Sequence, residues 1–134
     1  MAVTMQGFAK KEHTFNAPTT FTNADVNKVV VLDTSAANTV KLGSDGGIIL
    51  GVLEQVEDLR SQAQGVLATV AIEGGFKVDY DGTLAVGDYV VAAAGGKVRA
   101  VKTTETADVI PAGAHLFQVM EIVDSAAKTA VIFK

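Results

Sequence analysis

From Val26 onward, short apolar runs alternate with clusters of Gly, Asp, Asn and Ser at intervals of roughly ten residues, and this rhythm restricts the fold more than any other feature. Runs this short suit strands rather than helices. The spacing predicts strands at residues 29–32, 39–42, 48–56, 66–72, 76–80, 89–93, 97–102, 116–123 and 129–133. Between them lie Asp33-Thr34-Ser35, the run from Gly43 to Gly47, Gly74-Gly75, Asp81-Gly82, Gly95-Gly96 and Asp124-Ser125. Gly supplies positive φ at such turns, and Asp, Asn or Ser bonds the adjoining backbone. Gly95-Gly96 should close one hairpin, and Val86-Gly87-Asp88 reads as a tight strand entry, with Gly87 left-handed and Asp88 bonding across the turn. Residues 54–64 are the best helix candidate, although a strand and a long loop fit the same run, and residues 107–114 read as an irregular connection.

The expected class is mainly β: a small sandwich-like or barrel-like body at 24–134, preceded by an extended arm at 1–23. The arm is rich in Thr, Asn and Phe, contains Pro18 and has no sustained alternation. At 134 residues the chain has the usual size of one domain, and with 49% apolar residues it has enough surface to bury a core. Two related halves are suggested by an echo: Val52-Leu53-Glu54 followed by Thr69-Val70-Ala71-Ile72, then Val119-Met120-Glu121 followed by Thr129-Ala130-Val131-Ile132.

Several functions are disfavoured on this reading. A net charge of −4 without a Lys/Arg cluster argues against nucleic acid. No run is long enough for a membrane span or a signal peptide, so synthesis in the cytoplasm without secretion is expected. The chain has no Cys, which removes disulfides and thiolate metal sites. Its two histidines, His13 and His115, stand in no nucleophile or H-x-x-x-H setting. Asp79-Tyr80-Asp81-Gly82 lacks the alternating ligands and distant Glu of a calcium loop. Gly95-Gly96-Lys97 lacks the leading Gly and following Ser/Thr of a phosphate loop. The expectation is a protein without catalytic residues, metal or cofactor. The arm holds the candidate partner contacts: Phe8, Lys10, Lys11, His13, Phe15 and Phe21, which would lie along a sheet edge of another protein and fill pockets there. Such an arm should be removable with little effect on the body.

Val29-Val30-Val31-Leu32-Asp33-Thr34-Ser35, Asn38-Thr39-Val40-Lys41-Leu42, Ile49-Leu50-Gly51-Val52-Leu53 and Gly75-Phe76-Lys77-Val78 together resemble the lambda-like head decoration (capsid cement) proteins of tailed bacteriophages. The resemblance covers residues 29–78, and the second half has no counterpart there, although Val86-Gly87-Asp88-Tyr89-Val90 resembles other small phage-associated β proteins. It implies a β-tulip-like body with an N-terminal arm, made in the host bacterial cytoplasm and placed on the capsid exterior. There it would clamp neighbouring major capsid protein subunits, commonly as a homotrimer. The other readings are a tail or baseplate module and a small carbohydrate- or peptide-binding barrel. Carbohydrate binding is weakened by the absence of Trp and the presence of only Tyr80 and Tyr89.

Overall fold

A computed structural model describes residues 10–102 and 116–134. These form ten strands: β1 Lys11–Ala17, β2 Val29–Leu32, β3 Val40–Leu42, β4 Gly51–Asp58, β5 Val66–Glu73, β6 Gly75–Asp79, β7 Val90–Ala92, β8 Val98–Ala100, β9 Gln118–Asp124 and β10 Thr129–Phe133. Among the described residues, helix is confined to short 3-10 turns at Asn23–Asp25, Arg60–Gln62 and Ala94–Gly96. Of the two readings open for 54–64, the strand followed by a loop holds and the helix does not: the first part continues β4 and the rest is one tight turn ending at Ala63, which has a left-handed backbone (φ 61°). Pairing with β5 at Gln55 through Asp58 overrides a weak helical periodicity. Residues 107–114 and His115 lie outside the described residues.

The first half is one antiparallel sheet in the order β1-β5-β4-β2-β3. It curls until a single parallel bridge, Asn16 to Thr39, brings its edges together without closing a barrel. Its central strands carry consecutive apolar residues because both faces are covered. Val30, Leu53 and Val70 point inward with Phe21, Val40, Val66 and Ala68. Their neighbours Val29, Val31, Val52 and Ala71 point outward, into a second core shared with Phe76, Val78, Tyr80, Phe117, Val119 and Ile132. This is the period-two rule applied to strands buried on both sides.

The second half repeats the first. Its β6-β10-β9 sheet and β7-β8 hairpin are joined by bridges from Tyr89 to Gln118 and from Tyr80 to Val98, the latter parallel. The resulting order, β6-β10-β9-β7-β8, is that of the first half strand for strand. The strand-entry bonds repeat as well. Asn27 N donates to Leu53 O (2.8 Å) where Gly87 N donates to Val119 O (2.9 Å), and Leu53 N donates to Lys28 O (2.9 Å) where Val119 N donates to Asp88 O (2.8 Å). Asn27 and Gly87 are both left-handed, with φ of 75° and 93°. Asp88 accepts from Ala85 N at 2.9 Å, so the expected tight entry forms. Inward positions correspond too: Phe21 with Leu84, Val30 with Val90, Val40 with Val98, Leu53 with Val119, Ala68 with Ala130 and Val70 with Ile132.

The expected arm is corrected in its second part. Lys11–Ala17 is β1, paired along its length with β5 from Lys11–Glu73 to Ala17–Val66. The strand escaped sequence reading because Phe15 and Ala17 are its only apolar residues, too few to set an alternation. Its counterpart β6 buries Phe76 and Val78, whereas every residue of β1 is exposed or half-buried.

Candidate functional site

Five of the six arm residues nominated from sequence are described, and the fold keeps Lys10, Lys11, His13 and Phe15 on or beside β1 but sets Phe21 apart. Phe8 lies outside the described residues. Lys10, at the entry to β1, reaches over the seam between the halves: its Nζ is 3.5 Å from Glu54 and 5.9 Å from the centre of the Phe76 ring. Lys11 pairs with Glu73 across the ladder at 3.6 Å. Both ion pairs are solvent-facing and contribute little to stability. His13 is exposed and stands edge-on to Phe15, ring centres 6.4 Å apart. Phe15 is half-buried against the inner core of the first sheet.

Phe21 is corrected outright. It is 6% exposed within that inner core, and its N–H donates to Pro18 O at 3.1 Å, so it fastens the N-terminal segment to its own body. The following turn is locked by Thr22 and Asp25. The Thr22 hydroxyl accepts from Ala24 N at 3.3 Å, and Asp25 accepts from Thr22 N at 3.0 Å. Burial pushes the Asp25 carboxyl up, but the Thr22 N–H and the Lys28 ammonium outweigh it and hold the carboxyl below its ordinary value. This Thr-x-x-Asp capping box was legible in the sequence as a helix-start signature.

β1 is an edge strand. One side pairs with β5, and among the described residues its other side meets the body only where Asn16 approaches Asn38 and Thr39. Residues 11–15 therefore offer an outer backbone edge next to two cations, a histidine and a half-buried phenylalanine. That combination suits pairing with a strand from another protein.

Among the described residues, two shallow clefts lie along the seam between halves. One, of about 400 Å³, lies between Val26, Asn27 and Lys28 on one side and Lys77 and Asp79 on the other. The second, of about 280 Å³, lies among Lys10, Glu54 and Phe76. Among the described residues, no group of three or more His, Asp or Glu converges as a metal site, and no helix is long and apolar enough to cross a membrane. Asp81, in the segment considered for calcium, faces Lys97 at 3.5 Å. Among the described residues the most perturbed carboxyl is the exposed Asp58, held at about 2 by hydrogen bonds from the Arg60 side chain and backbone at the end of β4. The pair closes a turn at the end of β4.

Leu32, Val86 and Tyr89 are large apolar side chains that the fold leaves exposed. Val86 and Tyr89 flank the Gly87-Asp88 turn, and Leu32 ends β2 beside the Asp33 turn. The chain matches no family model, no curated protein and no solved structure.

Proposed function

We propose that this chain is a structural protein of a tailed-phage head, made in the bacterial host, which binds the capsid exterior and braces neighbouring major capsid subunits. The observation that supports this most is the N-terminal edge strand. Residues 11–15 present an outer backbone edge on a rigid sheet, directly after the segment that carries Phe8. A strand from a capsid subunit added to β1 would gain about 1 kcal/mol net per backbone hydrogen bond. Side chains of Lys11, His13 and Phe15 would set the register. The resemblance over residues 29–78 supports the same reading, and those residues contain β2 to β5 and most of β6.

Bracing needs no reacting group and no cofactor. It needs a body that keeps its shape and a contact repeated many times. Modest affinity per copy is multiplied when copies engage together, as three copies around a threefold position would. Expanded heads saturated with the protein should release their contents at a higher temperature than bare heads. An identical rupture temperature with and without the protein would remove the cement reading.

A further inference from the structure

The duplicated topology makes it possible to ask which surfaces one half covers and the other leaves bare. Within the chain, the first half docks onto the β7–β8 hairpin of the second. Gly46 N donates to Ala92 O at 2.9 Å and Ala92 N to Gly47 O at 2.8 Å, and the Lys28 side chain lies against Gly96. Val29 enters the shared core behind them. The contact buries Val29 on the docking side and Ala92, Ala93 and Gly96 on the receiving hairpin, with Val26 and Lys28 half-buried beside them.

Their counterparts in the opposite halves are open. Ala92 is fully buried, while its equivalent Leu32 is 50% exposed. Val29 is fully buried, while its equivalent Tyr89 is 53% exposed, beside Val86 at 66%. The β2–β4 ladder pairs only Val29 and Val30, so it stops short of Leu32. Asn38, the equivalent of Gly96, keeps the same left-handed backbone, with φ of 52° and 78°. Three of the chain's large exposed apolar side chains thus stand where the half-to-half contact would continue if another unit followed at either end.

We infer that copies of this chain associate head to tail, the turn at residues 86–89 of one copy seated on the β2–β3 hairpin of the next, repeating between chains the contact that joins the halves within one. The occupant is a second copy because the exposed Leu32 and Tyr89 are the repeat counterparts of Ala92 and Val29, which one chain buries in its own half-to-half contact. Such a contact joins two different surfaces, so it closes into a ring or grows into a filament according to the rotation between copies. It is independent of the capsid reading and leaves the Lys11 end of β1 free.

Sedimentation velocity on the purified full chain tests it. Wild type should show concentration-dependent association. Leu32→Asp and Tyr89→Asp, both exposed and both checked for retained fold by circular dichroism, should each sediment as monomers. Leu32→Asp keeps a working 86–89 turn and Tyr89→Asp keeps a working hairpin, so mixing the two should give a 1:1 pair and nothing larger. A wild type that stays monomeric to its solubility limit would overturn the inference. So would association of either variant at wild-type strength, or a mixture that stays monomeric.

Discussion

Replacing Gly51 with alanine should lower the stability of the protein by about 3 kcal/mol, a loss typical of overpacking a rigid core, and its melting temperature by on the order of 10 °C. Gly51 begins β4 and sits opposite Val30 of β2, close to β5. A Cβ built there would run into the carbonyl group of Ala71 and come within 2.7 Å of Val70 Cγ1. The first obstacle is backbone in the middle of the sheet, and Val70 is fully buried, so neither yields cheaply. Relief requires β4 and β5 to separate where both cores meet, since Val70 faces one and Ala71 the other. Chemical denaturation of the variant reads the effect. A stability within about 0.5 kcal/mol of wild type, the range of an ordinary surface change, would mean that the two strands do not approach as described.

Deleting residues 2–20 should destabilise the body severely, contrary to what an independent arm would do. The deletion removes β1 and bares the edge of β5 from Val66 to Glu73. It also takes Phe15 and Ala17 off the inner core, where they pack with Val66, Ala68 and Val70. Burying a side chain such as Phe15 is worth about 2 kcal/mol when complete, and the lost ladder bonds add to that at roughly 1 kcal/mol each. Deleting only residues 2–9 leaves all of these contacts in place, so it should lower the thermal unfolding temperature far less than the longer deletion does. If the longer deletion melts like the full chain, β1 contributes nothing to the body and the N-terminal segment is an arm after all.

Nine of the ten strands were legible because their apolar residues cluster in short runs between turn residues, and β2 and β10 even keep the limits read from sequence. β1 was not, because Lys-Glu-His-Thr-Phe-Asn-Ala is held by pairing with β5 rather than by its own pattern. Phe21 was misplaced for a related reason: a lone phenylalanine in a polar segment looks the same whether its pocket belongs to a partner or to its own core. The duplication was glimpsed in the echo of Val52-Leu53-Glu54 and Val119-Met120-Glu121, but one residue out of step. Structurally Leu53 matches Val119, both inward. Adjacent apolar residues on strands buried on both faces leave that register undetermined from composition alone. Leu32 and Tyr89 stood out only by comparison of the halves, since their exposure depends on a contact made at one end of the repeat and not at the other.

Cosedimentation with expanded, undecorated heads of the cognate phage tests the proposed role most directly. The protein should pellet with heads to a saturating occupancy in fixed proportion to the major capsid protein, and Lys11→Glu with His13→Glu on the β1 edge should reduce that occupancy at limiting concentration without altering the fold. Protein that remains in the supernatant at every head concentration would contradict the account.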